Sequence, residues 1–410
     1  MEESVFPQQQ PIFMGDKLPL KPGLLLEATP GSAGRRAERP GLSPARQFGI
    51  IRSMIEEGNA FGRMDRDLSR AEMERILAAA DARPLLAAAY RRKCSLQGRT
   101  VALRGLVECS NVCAKNCLYC GIRRGNAKVR RYRMTADEVV EAAAWAAENG
   151  YGSVVLQAGE IQSEENTRFY EQILGRLHAR FGDGLGITLS LGEQSPETYR
   201  RWRRAGAHRY LLRIETSNPE LYARIHPAGH SWAARLDCLR SLRDAGFIVG
   251  TGVMIGLPGQ TLADLAGDIG FFRDENVDMI GMGPYLPHPD TPLAAGATAV
   301  GAPVFELTLR MIALARLAIP EANIASTTAL QAMAPDGREK GILAGANVIM
   351  PNVTPRQYRQ QYLLYPGKPC TQDSSEFCRD CIERRIRSIG EEIAWGRRMD
   401  PLHARKCGPG

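Results

Sequence analysis

The sequence lacks the features that would place the protein in or across a membrane. It contains no run of eighteen or more apolar residues, the length that a transmembrane helix needs. Residues 1–11 have neither the basic start nor the apolar centre of a secretory signal peptide, and no apolar run follows Arg35 and Arg36. We therefore predict a cytoplasmic protein without a membrane partner.

The sequence also lacks an arrangement of basic residues typical of nucleic-acid binding. A formal charge of +8 comes from 53 Lys and Arg against 45 Asp and Glu, and such an excess attracts nucleic acid, anionic substrates or acidic proteins. The one dense basic run, between Arg123 and Arg133, contains no interleaved aromatic pairs. It predicts a solvated or anion-facing surface rather than a nucleic-acid site.

No short tandem repeat is present, but composition divides the chain into four parts. The first is rich in Pro, Gly, Ala and Arg without periodicity and predicts a disordered extension. Helical patterns follow, then a long region of alternating strand and helix patterns, then a segment with a separate cysteine group. The predicted parts are the extension 1–45, the helices 46–98, the barrel 99–365 and the C-terminal segment 366–410.

Short β-branched or apolar runs alternate with amphipathic helical patterns from about residue 101, which predicts βα units and a parallel sheet. Eight such units match a complete (β/α)8 barrel of the TIM type, in the α/β class, with reactive groups on loops beyond the C-terminal ends of the strands. The predicted strands are 101–107, 153–157, 186–191, 209–213, 248–254, 279–282, 323–325 and 347–350. The predicted helices are 47–57, 69–82 and 82–93 before the barrel, then one capped by Thr135 and Glu138, and 165–180, 196–205, 232–245, 262–275 and 305–317.

Six of the ten cysteines fall into two tight groups, which in a protein without a signal sequence suggests metal sites rather than disulfides. Cys113, Cys117 and Cys120 form a CX3CX2C group after the first predicted strand. Three thiolates this close can hold a [4Fe-4S] cluster and leave one iron without a protein ligand. Structural zinc is the alternative, but zinc normally takes four ligands in paired spacings. The isolated thiols are predicted to be packed or loop residues: Cys94, Cys109, Cys238 and Cys407.

This spacing, with Tyr119 before the third cysteine, resembles the signature of the radical S-adenosylmethionine superfamily. The resemblance implies that S-adenosylmethionine chelates the open iron, and that electron transfer into its sulfonium releases a 5'-deoxyadenosyl radical. Gly159 and Glu160 resemble the superfamily's glycine–glutamate motif, which holds the methionine ammonium, although Ala158 replaces its first glycine.

Three polar residues near the ends of later strands suit a zwitterionic ligand. Thr188 offers a hydroxyl, Glu215 a carboxylate and Arg235 a guanidinium, whose fork makes paired hydrogen bonds to a carboxylate. Ordinary salt bridges at the barrel rim are the alternative. The glycines of the 252–259 segment, which lacks the GxGxxG spacing, would let backbone approach the adenine.

Several longer strings together resemble the HydE family of [FeFe]-hydrogenase maturases over about residues 50–400. Single motifs are shared with biotin synthase and methylornithine synthase, but the combination is similar to HydE. The strings are Ser110-Asn-Val-Cys113, Cys117-Leu-Tyr-Cys120-Gly, Arg131-Tyr-Arg-Met-Thr135, Ser190-Leu-Gly-Glu193, Arg209-Tyr-Leu-Leu-Arg213, Gly283-Pro-Tyr-Leu-Pro-His-Pro-Asp-Thr-Pro292 and Asn347-Val-Ile-Met-Pro-Asn352.

The resemblance implies a substrate, partners and site residues. The substrate is a small organometallic complex of iron with cysteine, carbon monoxide and cyanide, whose sulfur the radical attacks on the way to a di-iron precursor. The implied partners are the maturases HydG and HydF and a reductant such as ferredoxin or flavodoxin. The implied residues are Cys113, Cys117 and Cys120 for the cluster; Tyr119, Gln157, Gly159, Glu160, Thr188, Arg213, Glu215 and Arg235 around S-adenosylmethionine; and Thr327, Thr328, Tyr362 and Tyr365 around the substrate cavity.

Some of these residues have a structural alternative. Packing alone would explain Tyr362 and Tyr365. His288, between two prolines, is predicted to be a hydrogen-bonded loop residue, and Met279 a core or cavity-lining residue.

Cys370, Cys378 and Cys381 form the second group, with CX7CX2C spacing. They suggest an auxiliary [2Fe-2S] or [4Fe-4S] cluster, which the resemblance implies is unnecessary for activity. An empty or partly occupied site, or zinc completed by another donor, is the alternative.

Two other functions fit the same features. One is a radical enzyme that acts on a small organic molecule, as a biotin-synthase-like sulfur inserter or an amino-acid mutase. The other is a non-catalytic carrier of an iron complex. Formation of 5'-deoxyadenosine separates the enzymes from the carrier.

Overall fold

The computed structural model describes residues 68–296 and 301–402. The predicted disordered extension 1–45, the predicted helix 47–57 and Cys407 lie outside these residues. The described part begins with two helices, α1 (Arg70–Ala78) and α2 (Arg83–Gln97), which match the patterns over 69–82 and 82–93. Ser69 caps α1 in a reciprocal capping box with Glu72, and α1 ends four residues earlier than predicted.

Eight parallel strands form a closed ring, as the sequence predicts for a (β/α)8 barrel. Each strand of the ring pairs with the next, and the last pairs back to the first through Ala102–Val348 and Leu103–Ile349. The ring strands are β1 (Thr100–Ser110), β2 (Ser153–Ala158), β3 (Gly186–Ser190), β4 (Arg209–Leu211), β5 (Ile248–Thr251), β7 (Met279–Pro284), β8 (Asn323–Ser326) and β9 (Val348–Ile349); β6 (Met254–Ile255) pairs with β7, and β10 (Glu392–Ile393) with β1.

Helices cover the outside of the ring. All the predicted barrel helices are present, and Thr135 and Glu138 form the predicted capping box, with Glu138 N–H donating to Thr135 Oγ1 at 3.2 Å. The helices are α3 (Ala136–Glu148), α4 (Glu164–Phe181), α5 (Pro196–Arg204), α6 (Pro219–Ile225), α7 (Trp232–Asp244), α8 (Leu262–Asp274), α9 (Ala302–Ala318), α10 (Thr328–Met333), α11 (Gly337–Leu343), α12 (Arg356–Arg359) and α13 (Ser375–Ser388), with 3-10 turns at Gly182–Gly184 and Pro292–Gly296.

The predicted strands 248–254 and 209–213 are broken or end early just before residues predicted to bind ligand. The segment predicted as one strand over 248–254 is interrupted at Gly252, where a Cβ would lie 1.8 Å from the carbonyl oxygen of Gly281. β4 ends at Leu211 rather than residue 213, and Glu215 beyond it has a φ of +66°. The chain thus leaves the ladder before the residues predicted to bind ligand.

The N-terminal end of the ring, which we call the floor, is closed by residues 391–402, the C-terminal strap. Glu391 forms a buried ion pair with Lys93 of α2 and accepts a hydrogen bond from Tyr90 Oη at 2.7 Å. Arg209, at the start of β4, donates to the Arg398 carbonyl at 2.8 Å and pairs with Asp400. The opposite end, which we call the mouth, collects the loops that follow the strands.

The core is apolar and continuous between the ring and its helices. Buried strand side chains such as Leu156, Leu189, Val249 and Ile324 fill it. Within the described residues, no helix has the length and apolar character needed to cross a membrane.

Candidate functional site

The loop after β1, residues 111–121, carries the first cysteine group at the mouth, as predicted. We call it the cysteine loop. Its backbone is bonded to three other segments: Ala114 N–H donates to the Glu160 carbonyl at 2.8 Å, Leu118 N–H to the Ile225 carbonyl at 3.0 Å, and Gly121 N–H to the Leu364 carbonyl at 3.0 Å. The loop is therefore fixed by the ends of β2 and α6 and by the 362–365 segment.

Arg131 holds the same loop through carbonyl groups. Its guanidinium donates to the carbonyls of Asn111 at 2.6 Å, Ile122 at 2.7 Å and Arg123 at 2.6 Å. A planar guanidinium has five donors in a fixed geometry, so one side chain can set the positions of several backbone segments. Arg131 therefore fixes the cysteine loop through its backbone.

The three thiols of the loop fit an iron–sulfur cluster. Burial raises the pKa of Cys113 and Cys120 and raises that of Cys117 to about 11. Thiols in this environment ionise only next to a strong positive charge, which iron supplies. Cys109 lies on β1 in the core and apart from the loop, so three thiols would hold a cluster here and would leave one iron without a protein ligand.

Gly159 and Glu160, directly after β2, face the cysteine loop. Glu160 N–H donates to Cys113 Sγ at 3.3 Å, and Gly159 N–H donates to the Ser110 carbonyl at 2.9 Å. A Cβ on Gly159 would lie 2.3 Å from the Val112 carbonyl oxygen, so only glycine fits at this position. Gln157 precedes them on β2 opposite Ser190 of β3.

Two carboxylates and two cations form a buried cluster beside the cysteine loop. Lys115 Nζ lies 3.3 Å from Glu160 Oε1 and 2.6 Å from Glu193 Oε2, and Arg235 Nε lies 2.5 Å from Glu193 Oε1. Glu193 N–H also donates to Glu160 Oε2 at 2.9 Å. The cluster ties the loops after β1, β2 and β3 to α7.

The two carboxylates of this cluster differ in pKa. Burial and the neighbouring Glu193 carboxylate raise the pKa of Glu160. Burial alone would raise the pKa of Glu193 too, but the Arg235 guanidinium and the Lys115 ammonium outweigh it and lower that pKa. The charge of Glu193 is thus balanced by Arg235 and Lys115, whereas the charge of Glu160 is less well balanced by the protein.

Arg213 and Glu215 face each other beyond β4. The Arg213 guanidinium donates to both oxygens of Glu215 at 2.9–3.0 Å and to the Gly281 carbonyl at 2.8 Å. Arg235 Nη1 donates to the Arg213 carbonyl at 2.7 Å, which joins this pair to the carboxylate cluster. The positive φ of Glu215 is uncommon for a residue with a side chain. Its carboxylate acts electrostatically on Cys117, Tyr119 and Cys120, which places it near the cysteine loop.

Thr188 lies elsewhere, in a cavity inside the barrel. This cavity is lined by Arg104, Met279, Asn323 and Met350 among others. Arg104 Nε and Nη2 and Thr188 Oγ1 are buried there without a hydrogen-bond partner among the described residues. Unused donors at a buried site suit an anionic or acceptor-rich ligand.

Two of the predicted cavity residues of the second half of the barrel, Thr328 and Tyr365, lie beside Arg338. Arg338 Nη2 donates to Thr328 Oγ1 at 2.9 Å, while the buried Thr327 Oγ1 has no hydrogen-bond partner in the described part of the chain. Arg338 also acts electrostatically on Tyr365, whose pKa is raised, first of all by burial. Tyr362 is fully buried against Lys368, which pairs with Glu108 at the end of β1.

The second cysteine group is brought together at the start of α13. Cys370, which has a φ of +60°, precedes the helix, and Cys378 and Cys381 lie one turn apart on it; all three line one pocket with Arg338 and Arg385. The ligand atoms of Cys370, Asp373 and Cys378 lie within 4.8 Å of one another. The Cys378 side chain lowers the pKa of Cys370 against the effect of burial, and Arg338 adds to it.

His288 closes its own turn, because its Nδ1 accepts a hydrogen bond from Asp290 N–H at 3.2 Å. This agrees with its prediction as a structural loop residue.

Sequence reasoning missed several polar residues of the site. Glu193 was visible only as part of a longer string, and Lys115 only as a residue between two cysteines. No spacing in the sequence indicated Arg104, His226 or His230 as site residues. The missed residues are Arg104, Lys115, Glu193, His226 and His230.

Two family models and several curated proteins match the chain. Residues 107–272 match the Radical SAM superfamily, and residues 284–381 match the Biotin and Thiamin Synthesis associated domain. The chain is 45% identical over 304 residues to the [FeFe] hydrogenase maturase subunit HydE of Thermotoga maritima, across 73% of this chain and 84% of that protein. It is 26% identical over 254 residues to 3-methylornithine synthase of Methanosarcina acetivorans, across 62% and 69%.

Solved structures share the fold. Methylornithine synthase PylB superposes with a TM-score of 0.69 at 22% identity, covering 85% of this chain and 98% of that one. The maturase HydG of Carboxydothermus hydrogenoformans superposes with a TM-score of 0.67 at 20% identity, covering 86% and 85%. At these identities the likeness concerns the barrel alone.

Proposed function

Because the chain belongs to the HydE family of [FeFe]-hydrogenase maturases and is a radical S-adenosylmethionine enzyme, we propose that it acts on the sulfur of an iron-bound cysteine. The substrate is a small iron complex that also carries carbon monoxide and cyanide, and the product leads to the di-iron precursor of the hydrogenase active site. The observation that carries the proposal is a three-thiol loop at the mouth of a barrel whose interior holds buried, unused hydrogen-bond donors.

Cys113, Cys117 and Cys120 are the proposed cluster ligands. When bound, the [4Fe-4S] cluster supplies the electron that cleaves S-adenosylmethionine to methionine and the 5'-deoxyadenosyl radical. The chain's part is to hold the thiols in place: Arg131 fixes the loop backbone and Glu160 N–H donates to Cys113 Sγ. A hydrogen bond to a ligating sulfur is one of the ways a protein sets a cluster's potential.

S-adenosylmethionine is proposed to lie between the carboxylate cluster and the Arg213–Glu215 pair, with Tyr119, Gln157 and Gly159 beside it. Glu160 is the carboxylate for its ammonium, because Glu193 is already held by Lys115 and Arg235. Glu215, fixed by a paired hydrogen bond from Arg213, is placed to accept hydrogen bonds from the sugar hydroxyls.

The substrate is proposed to bind deeper in the barrel, toward the cavity of Arg104 and Thr188, and Thr327 after β8 offers a further donor without a partner in the described residues. Cyanide nitrogen and the cysteine carboxylate are acceptors that match these donors. Thr328 and Tyr365 are proposed to line this space beside Arg338, and Tyr362 to line it beside Lys368. A buried position also keeps water away from the reacting sulfur.

Cys370, Cys378 and Cys381 are proposed to hold an auxiliary cluster, [2Fe-2S] or [4Fe-4S], with Asp373 placed as an oxygen donor. The proposed domain division remains 46–98 for the helices, 99–365 for the barrel and 366–410 for the C-terminal segment. We propose a cytoplasmic location, HydG and HydF as partners, and ferredoxin or flavodoxin as the reductant.

The first test measures 5'-deoxyadenosine from anaerobically reconstituted protein, with S-adenosylmethionine and reductant, in the presence and absence of the iron–cysteine complex. We expect the complex to stimulate its formation. Cys117→Ala should abolish formation and Cys378→Ala, the matched control in the other cysteine group, should leave most of it. No 5'-deoxyadenosine from a fully loaded cluster would support the carrier instead, and stimulation only by an organic substrate would support a synthase or mutase.

A further inference from the structure

A second set of metal-binding side chains lies beside the cysteine loop. His226 directly follows α6, and His230 lies four residues later, before α7. One ring nitrogen of each and the Sγ of Cys117 lie within 4.8 Å of one another. Cys117 therefore belongs to two donor sets, one made of three thiols and one made of a thiol and two imidazoles.

His226 is held as metal-binding histidines usually are. It is buried, its ring stacks on Tyr222, and its Nδ1 lies 2.9 Å from the Tyr222 carbonyl oxygen. A carbonyl oxygen accepts, so Nδ1 carries the proton and Nε2 keeps its lone pair. A backbone carbonyl on the far nitrogen of a metal-binding histidine fixes the tautomer and the ring direction. Nε2 has Tyr119 Oη as its neighbour at 3.4 Å.

His230 has an unused nitrogen. Its Nδ1 is buried and makes no hydrogen bond to any part of the chain that the structure describes. Buried polar atoms are normally paired, so an unpaired nitrogen on a ring that belongs to this donor set indicates a missing partner. A metal ion next to Cys117 would provide that partner.

We propose that Cys117, His226 and His230 bind one divalent transition-metal ion when the cluster is absent. One thiolate and two neutral imidazoles suit Zn²⁺, Fe²⁺ or Co²⁺, with water in the fourth position. Bonds of about 2.0–2.3 Å in a tetrahedron put the ligand atoms about 3.3–3.6 Å apart. Side-chain movements of about 1 Å close the set from its present spacing. Binding releases the Cys117 proton to solvent.

This site and the [4Fe-4S] cluster exclude each other, because both need the Cys117 thiolate. Ferrous iron bound here occupies the cysteine loop next to Cys113 and Cys120 and is placed to be the first iron of the cluster. Zinc bound here blocks that loop. The mutual exclusion rests on the proposed role of Cys117 as a cluster ligand. Metal binding by the cluster-free chain does not rest on the proposed function.

The experiment uses the full chain, anaerobic and stripped of metal, with Cys370, Cys378 and Cys381 replaced by serine so that the second cysteine group contributes no thiolate. Co²⁺ is the probe, because its spectrum reports both sulfur ligation and tetrahedral geometry. We expect one equivalent to produce a sulfur-to-cobalt charge-transfer band and strong ligand-field bands. Cys117→Ser, His226→Gln and His230→Ala should each lose them.

Cys120→Ser is the matched control, since it keeps all three proposed donors but removes a cluster ligand, and it should bind Co²⁺ like its parent. Circular dichroism checks that each variant is folded. His230 is half-buried, so its replacement should disturb folding least. If His226→Gln does not fold, the result for His230→Ala decides the test. Unchanged cobalt spectra in folded His230→Ala would overturn the site. So would loss of the bands in Cys120→Ser, which would place cobalt on the three thiols.

A second measurement tests the exclusion. One equivalent of Zn²⁺ added before reconstitution should slow the appearance of cluster absorbance in the parent but not in His230→Ala. Equal slowing in both would overturn the exclusion. Neither measurement uses S-adenosylmethionine, so the outcome is separate from that of the 5'-deoxyadenosine test.

Discussion

Lys115 stands between two cluster cysteines in the sequence and between two carboxylates in space. The pKa of Glu160 is already raised by burial and by Glu193. Without the Lys115 ammonium, the pKa of Glu160 would rise further, and more of this side chain would be neutral at pH 7. A neutral carboxyl binds an ammonium group much less strongly than a carboxylate does.

We therefore expect Lys115→Met to weaken S-adenosylmethionine binding about tenfold, which corresponds to about 1.4 kcal/mol. The dissociation constant of the cluster-loaded protein measures this, and the loss should shrink as the pH is raised and Glu160 ionises. Lys128→Met is the control, because Lys128 is exposed and its pair with Asp290 lies at the surface. Equal affinity of Lys115→Met and wild type would show that Glu160 does not depend on this cation.

At the level of single residues, the sequence predicted the site residues that lie close together in one sequence motif. It missed several that the fold brings together from distant segments. Cys113, Cys117 and Cys120 are readable because one loop holds all three. Glu193 and Arg235 come from different βα units, and their 2.5 Å contact depends on the closed ring. His226 and His230 are four residues apart, but nothing in the sequence places them against Cys117.

Among the elements, β5 and α4 provide two glycines with opposite environments. Gly252 follows β5, and a Cβ there would collide with the carbonyl of Gly281 on β7. Gly175 lies on an exposed stretch of α4 with nothing within 4 Å of a Cβ. Alanine in an exposed helix interior restricts the unfolded chain without costing contacts.

Gly175→Ala should therefore stabilise the protein by about 0.5–1 kcal/mol. Gly252→Ala should destabilise it by several times that amount or prevent folding, because the barrel must open between β5 and β7. Thermal unfolding followed by circular dichroism compares the two variants with wild type. Similar small shifts for both would mean that the β5–β7 contact is looser than the structure has it.

The sequence predicted all eight ring strands, because the alternation of strand and helix patterns is a local property of each βα unit. It missed β6 and β10, which are two residues long and exist only through pairing with β7 and β1. It also missed α6 and α13, since the first has seven residues and the second contains Cys378 and Cys381, whose spacing predicted a metal site. β4 ends early because the chain turns to place Glu215, which has a positive φ. Strand propensity alone does not indicate this turn.

For the whole molecule, the strap seals the floor through charged contacts. Burial alone would raise the pKa of Asp400, but Arg209 and Arg398 outweigh it and lower that pKa. A carboxyl with a lowered pKa in the folded state stabilises the fold at pH values above its unfolded pKa of about 3.9, and this contribution disappears as the pH falls through the folded pKa.

Asp400→Asn should therefore lower the free energy of unfolding by about 3 kcal/mol at pH 7, since it leaves the buried Arg209 guanidinium without its carboxylate. The difference from wild type should hold down to about pH 5 and shrink below about pH 4. Unfolding curves at a series of pH values measure it. Asp336→Asn is the control, because its pair with Lys340 is exposed and worth little at any pH.

Because β1 and β9 close the ring, the cysteine loop is synthesised before the ring can close. The cysteine loop follows β1, yet the strand that completes the ring is made more than two hundred residues later. At about 5–20 residues per second, a ribosome exposes the three thiols for roughly 10–50 s before β9 exists. During synthesis the nascent chain thus presents its cysteines on an open sheet, where oxygen and stray metal ions reach them from both sides. In the described part of the folded chain the strap covers the floor, so the cysteine loop lies at the end of the ring that the strap leaves uncovered.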